Sequence, residues 1–228
     1  MPGFILHLTA GAMLLDEAYD NIMFYSEEDR NLFLTGCIVP DVSHRKWMSH
    51  FRNKEQKGKI MQVPDLSLFD EMYGDRIDEP LFLGYLFHLY IDYRFFNEYV
   101  PRVASFIDEN GNETPYIKNA SHVLVKKLNK MITDAEYRSE EYYYGDYTRM
   151  NTYLINRYNI PTDIFDDVYI PEIYGVDVED FPAFVEKMKG FLSVSENEIE
   201  NLKVFDIDDI LDMIREWTYD FVEEYNLN

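Results

Sequence analysis

A histidine and an aspartate lie four positions apart inside a strongly apolar stretch of the chain, GYLFHLYIDYRFF at residues 84–96. Residues at this spacing share a face of a helix, so His88 and Asp92 would direct an imidazole and a carboxylate toward the same point. A buried carboxylate is costly unless a partner side chain or a metal ion compensates its charge. The pair therefore has two interpretations: a hydrogen-bonded pair in the core, or part of a metal site.

Other polar residues lie beside apolar neighbours in the same half of the chain. His7 lies between two leucines, Asp41 follows a proline, and His50 precedes a phenylalanine. Imidazole and carboxylate are the groups that zinc and related divalent ions bind. Ligands supplied by several helices and a loop suit a helical bundle with a metal in its core. For His7, a core histidine bonded to a backbone carbonyl is the competing interpretation.

Apolar residues recur along the sequence with a mostly helical periodicity, which predicts the helices that position these residues. Ser26 and Asp65 are placed to cap helices, and Pro80 fits the first turn of a long, buried helix. The predicted helices cover residues 4–18, 26 to about 40, 65–73, 80–101, 117–137, 146–158, 179–192 and 207–225, with a polar and basic loop at 41–63. Because alternating strand patterns are scarce, we predict a single all-α domain over residues 1–228.

The composition restricts the classes of partner. The chain of 228 residues has a formal net charge of −22 and a sequence pI of about 4.4. Such acidity disfavours nucleic acid and anionic membranes, which bind Lys and Arg, but it does not disfavour metal cations. Cys37 is the only cysteine, which favours a reducing compartment. With neither a signal peptide nor a transmembrane segment recognisable, we predict a cytoplasmic protein.

Several segments of the chain, taken in order, resemble the bacterial zinc-dependent phospholipase C family: MPGFILHL, FLTGCIVPDV, SHFRN, PDLSLF and LGYLFHLYIDYRFF. The similarity is greatest to short members of the family without a signal peptide, and it covers roughly residues 1–100. It implies an all-α bundle that holds as many as three zinc ions in a cleft and hydrolyses phosphoesters. Residues 1–100 would form the metal-site half, and residues 101–228 a divergent helical remainder.

The resemblance also implies roles for individual residues that match the family motif. His7 would be a ligand from the N-terminal helix. Asp41, His50, His88 and Asp92 would complete one metal site, and Asp92 would be able to bridge to a second ion, so that one or two zinc ions are implied. Asp41, which would lie at the metal, is the candidate to orient or deprotonate the attacking water.

The sequence departs from the family pattern where further ligands are expected. The chain begins Met-Pro-Gly-Phe, whereas secreted members use the amino group of an N-terminal tryptophan. Six residues after Asp92 the family has a histidine, but this chain has Glu98; the only later histidine is His122, and Lys126 stands where a glutamate is expected. The third family site is therefore predicted to be absent, or rebuilt from acids such as Glu113, Glu141 or Asp146.

Three functional hypotheses follow. The first is a metal-dependent phosphoesterase that uses metal-activated water on a small phosphoester or a phospholipid-like substrate. The second is a non-catalytic interaction or structural domain that retains part of the site as core hydrogen bonding. The third is a zinc nuclease of related architecture, against which the charge of −22 argues, so no nucleic-acid partner is predicted.

Overall fold

The chain is mostly helical. The computed structural model describes residues 3–17, 26–161, 164–165, 168–189 and 194–227. Within these ranges the α-helices are α1 (Phe4–Glu17), α2 (Glu27–Gly36), α3 (Val39–Val42), α4 (Lys46–Ser49), α5 (Leu66–Tyr73), α6 (Pro80–Arg94), α7 (Val100–Val103), α8 (Asp134–Tyr137), α9 (Tyr143–Tyr158), α10 (Phe181–Lys189) and α11 (Ile207–Glu224). A π-helix joins α6 to α7, and short 3-10 helices lie at Lys54–Gln56, Gly74–Arg76, Ile117–Asn119, Lys126–Leu128, Val178–Asp180 and Glu196–Asn201.

The predicted helix starts are confirmed by their capping contacts. The Ser26 hydroxyl accepts a hydrogen bond from the Asp29 backbone N–H at 3.1 Å, and the Asp65 carboxylate accepts one from Leu68 at 3.4 Å. Pro80 occupies the first turn of α6, where no helical N–H is needed. Every residue of α6 from Leu81 to Asp92 is buried, as its apolar sequence predicts. In the part of the chain that the structure describes, no helix has both the length and the apolarity needed to cross a membrane.

Two strands of a small antiparallel sheet lie where a helix is predicted at residues 117–137, so that predicted helix is wrong; the fold is mostly helical, as predicted, but also contains this sheet. Its strands are β1 (Ala104–Ile107), β2 (His122–Val125) and β3 (Lys130–Thr133), paired in the order β1-β2-β3. Val123 and Val125 are buried while His122 is exposed, which is the alternation of a half-buried strand. Asn129, with φ of 47°, closes the turn between β2 and β3 in the left-handed conformation.

Other predicted boundaries shift by a few residues. α2 ends at Gly36 rather than near Pro40, because Pro40 opens the new helix α3 instead of continuing the old one. The predicted loop at 41–63 contains the end of α3, all of α4 and a 3-10 helix. Residue 18 of the first predicted helix and residues 190–192 of the seventh lie outside the described residues.

Two glycines bring α2 and α6 into backbone contact. A Cβ on Gly84 would lie 2.0 Å from the Phe33 carbonyl oxygen, and a Cβ on Gly36 would lie 2.2 Å from the Leu81 carbonyl oxygen. Only hydrogen fits at either position, so the two helices can approach this closely. Buried apolar residues from both halves of the chain surround α6 and form one connected core cluster. These two backbone contacts fix the position of α6 along its own axis relative to the C-terminal end of α2.

We expect Gly84→Ala to lower the free energy of unfolding by about 1–3 kcal/mol or more, because the added methyl forces α2 and α6 apart. Gly74→Ala is the matched control: its Cβ would meet no atom closer than 3.8 Å, so stability should change little. Urea unfolding of both variants measures the difference. Equal stability of the two variants would show that the helix contact tolerates a side chain.

Candidate metal centre

Three helices and the end of a fourth supply the predicted site residues. His7 lies on α1, Asp41 on α3, His50 directly after α4, and His88 and Asp92 on α6. All are buried, and Asp41, at 7% exposure, is the most accessible. The structure brings the five together at one place in the core, in agreement with the convergence expected from their apolar surroundings.

The side chains form two overlapping groups that share His88. One contains His7, His88 and Asp92, and the other contains Asp41, His50 and His88; within each group the candidate ligand atoms lie within 4.8 Å of one another. The Nε2 atoms of His50 and His88 are 3.3 Å apart. His50 Nε2 is 3.5 Å from Asp41 Oδ1 and 3.7 Å from Asp92 Oδ2. Either group could hold a metal ion.

Backbone carbonyls determine which ring nitrogen of His88 and His50 carries the proton. His88 Nδ1 lies 2.8 Å from the Cys37 carbonyl oxygen, and His50 Nδ1 lies 3.0 Å from that of Lys46. His50 Nδ1 is also 3.1 Å from Ser49 Oγ, whose proton is donated to the Pro40 carbonyl. Both Nδ1 atoms thus face acceptors and must be protonated, which leaves the Nε2 lone pairs directed into the centre. This arrangement is typical of histidines that bind metals.

The remaining polar atoms of the centre have no hydrogen-bond partner among the described residues. They are both ring nitrogens of His7 and both carboxylate oxygens of Asp92. His7 Nε2 is 3.5 Å from Asp92 Oδ1, and its ring stacks on that of His88 with the centroids 3.7 Å apart. Buried polar atoms without partners are rare because each one costs free energy. A cation at this point would satisfy the carboxylate oxygens and the unprotonated nitrogen of His7, so the ligand set fits a divalent metal.

The protonation states of the centre also suit a cation. Burial raises the pKa of Asp92, but the surrounding His7, His88 and His50 more than offset it, so the pKa lies below its ordinary value and the group is ionised. Burial lowers the pKa of His88 and of His50, and the neighbouring acids oppose this only in part. His50 and His88 are therefore neutral near pH 7, which is the form that binds a metal.

Lys46 and Arg52 are neighbours of the centre that the sequence patterns did not single out. Lys46 Nζ lies 2.8 Å from Asp41 Oδ1 and also donates to the Asp41 backbone carbonyl. Burial lowers the pKa of Arg52, and the charges of Asp92 and Asp41 oppose this lowering only in part. The sequence feature that could have pointed to these two residues is the run of basic residues at 44–59 in an otherwise acidic chain, but taken alone this run predicts only a loop.

The acids considered for a third site have other partners. Glu98 pairs with Arg94 and accepts a hydrogen bond from Trp217 Nε1 at 2.9 Å. Asp146 is buried and accepts the backbone N–H groups of residues 203–205 at 2.7–3.1 Å. Glu141 pairs with the Lys203 side chain, whereas Glu113 and His122 are exposed. Asp146 is therefore a structural anchor for the segment before α11.

Comparisons with protein-family models, curated proteins and solved structures found no match to this chain. The resemblance to the zinc-dependent phospholipase C family therefore stays a prediction from the quoted segments.

We expect the free energy of unfolding of the metal-free protein to decrease as the pH falls from about 7.5 to about 5.5. Burial lowers the pKa of His50 and His88 below the ordinary 6.5, so the unfolded chain takes up protons before the folded protein does, and the free energy of unfolding falls with pH. Urea unfolding in chelator measures the slope. His122→Gln, which removes an exposed histidine, should leave the slope unchanged; a stability that is constant over this range would contradict neutral, buried His50 and His88.

We expect zinc to raise the melting temperature of the chelator-treated protein, by an amount equivalent to roughly 2.7 kcal/mol at a hundredfold excess over Kd. Asp92→Asn should remove most of this response, because the amide keeps the shape of the carboxylate and loses its charge. Asp212→Asn, at a side chain that is 79% exposed, is the control. If Asp92 is only a core hydrogen-bond partner, neither zinc nor chelator will change the melting temperature, and Asp92→Asn will still destabilise the protein.

Proposed function

We propose that this chain is a metal-dependent phosphoesterase whose centre is formed by His7, Asp41, His50, His88 and Asp92. The observation that carries the proposal is the approach of two Nε2 lone pairs to 3.3 Å beside an ionised, buried carboxylate. Lone pairs and a negative charge in such proximity need a cation between them. The segments that resemble zinc-dependent phospholipases C support phosphoester hydrolysis as the chemistry.

A zinc ion held by these residues would act as a Lewis acid toward a phosphoryl oxygen and lower the pKa of a bound water to about 7. Asp41, the most exposed member of the set, would face an incoming substrate. Burial raises its pKa, but His50 and Lys46 more than offset this and hold the pKa well below the ordinary value. A carboxylate with such a low pKa is a weak base, so we assign Asp41 to orienting the water more than to accepting its proton.

Lys46 and the histidine partners complete the assignment. The Lys46 ammonium beside Asp41 would stabilise negative charge that develops on the phosphoryl oxygens. The carbonyls of Cys37 and Lys46 hold the His88 and His50 rings in their metal-binding orientation. A small phosphoester or phospholipid-like substrate and a cytoplasmic location belong to the same proposal; the lone, buried Cys37 supports the location.

A structural metal site in a non-catalytic domain is the second candidate function. The observation that favours it is burial: His7, His50, His88 and Asp92 are no more than 1% exposed. Structural zinc sites are closed, whereas catalytic sites keep a position open to water and substrate. In the catalytic proposal, access must therefore come from the side of Asp41 and Lys46. A zinc nuclease is disfavoured by the net charge of −22.

The test measures zinc content and hydrolysis on protein purified without chelator. We expect bound zinc, and turnover of 4-nitrophenyl phosphate or bis(4-nitrophenyl) phosphate that chelator abolishes. Asp41→Asn should lower kcat by about 10²-fold or more if Asp41 positions the water, and its zinc content shows whether binding is also lost. Asp212→Asn should retain full activity. Bound zinc without hydrolysis of either ester would favour the structural domain, and protein without zinc would contradict both assignments.

A further inference from the structure

A cavity of about 290 Å³ beside the candidate metal centre is lined by cationic side chains. Lys46, Arg52 and Arg138 contribute the charges, and among the described residues no carboxylate lines the cavity. Such a lining is unexpected in a chain with a net charge of −22. Phe96 and Tyr143 form part of the apolar wall. The charge pattern therefore indicates an anionic occupant.

The cavity adjoins the candidate metal centre at Lys46, although none of the five candidate ligands lines it. Lys46 lines the cavity and also lies 2.8 Å from Asp41 Oδ1. Arg52 lines it as well and follows His50 by two residues in the chain. A molecule that places one group at the metal centre can thus place another group in the cavity.

Two of the side chains that line the cavity each carry a buried donor without a hydrogen-bond partner in the described part of the chain: Arg52 Nε and the Tyr137 hydroxyl. Arg52 makes one hydrogen bond, from Nη1 to Gln62 Oε1 at 3.2 Å. Tyr137 is 1% exposed, and burial raises its pKa well above 10, so its hydroxyl keeps the proton and remains a donor. Buried donors without acceptors are costly, and an oxygen-rich anion would satisfy them.

The other two cations are partly neutralised by protein carboxylates. Lys46 pairs with Asp41, and Arg138 Nε donates to both Asp134 oxygens at 3.0 Å. Arg52 has no such carboxylate partner among its described contacts. Arg52 and Tyr137 are therefore the residues on which recognition of an anion depends.

We infer that this cavity binds a phosphate group, held by Arg52 and Tyr137, and that the substrate is an anionic phosphoester carrying a second phosphate. This inference rests on the proposed function for the reaction at the metal centre. A guanidinium and a hydroxyl donor match the tetrahedral oxygens of phosphate, whereas the cationic lining would repel a positively charged headgroup. The scissile phosphoester would lie at the metal centre and the second phosphate in the cavity.

The first test titrates inorganic phosphate into chelator-treated, dialysed protein by calorimetry. We expect saturable binding without metal, at least about tenfold weaker binding in Tyr137→Phe and Arg52→Gln, and unchanged binding in Arg102→Gln. Arg102 is a matched control because it is 55% exposed and pairs with Asp209 outside the cavity. Tyr137→Phe should melt at the wild-type temperature or above, since it removes an unpartnered buried hydroxyl, so it decides the question even if Arg52→Gln folds poorly.

The outcomes separate this inference from the proposed function. Absence of phosphate binding up to roughly 10 mM in wild type, or equal binding by Tyr137→Phe, overturns the cavity assignment. If phosphate binds only when zinc is present, and binds equally to wild type, Tyr137→Phe and Arg52→Gln, it lies at the metal centre. This outcome also overturns the cavity assignment, but it leaves the phosphoesterase proposal standing. Phosphate binding without metal, together with no ester hydrolysis by the zinc-loaded protein, supports the cavity and contradicts the phosphoesterase.

A second test addresses the substrate class in the zinc-loaded protein. We expect a higher kcat/KM for ethylene glycol bisphosphate than for ethyl phosphate, with the advantage carried by KM because the second phosphate contributes binding. Arg52→Gln should remove that preference while Arg102→Gln retains it. Equal kcat/KM for the two esters in wild type would overturn the assignment of a second phosphate.

Discussion

The negative charge of Asp92 lies in the last turn of α6, where neither solvent nor a hydrogen-bond donor of the described residues satisfies it. An ion in such a place requires a compensating positive charge. His50 and His88 do not supply one near pH 7, because burial lowers the pKa of both rings and keeps them neutral. Their lone pairs add to the negative potential at the same point. A cation bound in the cluster would supply the positive charge that buried Asp92 requires.

The architecture around Asp92 serves to hold that cluster in place. The Gly84 contact with Phe33 brings α6 against α2, so that the Cys37 carbonyl reaches the His88 ring. A hydrogen bond from Ser49 to the Pro40 carbonyl joins the segments that carry His50 and Asp41. The cationic side chains then lie on the accessible side, beside Asp41. A negative core that could hold a metal and a positive rim that would attract an anion are electrostatically complementary.

Local patterns determined much of this protein at the level of sequence. The spacing of His88 and Asp92 places them on one helix face, and Ser26 and Asp65 cap helices through contacts within three positions. Such interactions join near neighbours in the chain, so residue type and spacing predict them. The polar residues in apolar segments could also be recognised, because burial follows from the composition of each segment.

Only the tertiary structure decided which distant segments meet. The strand at Ala104 exists because it pairs with Val125, and helical periodicity in the intervening residues gave no sign of that partner. Asp146 is a structural anchor and no metal ligand because the backbone N–H groups of residues 203–205 reach it. Arg52 and Tyr137 line one cavity although the sheet lies between them in sequence. A strand needs a partner and a buried polar group needs a counterpart, and long-range packing, not local spacing, supplies both.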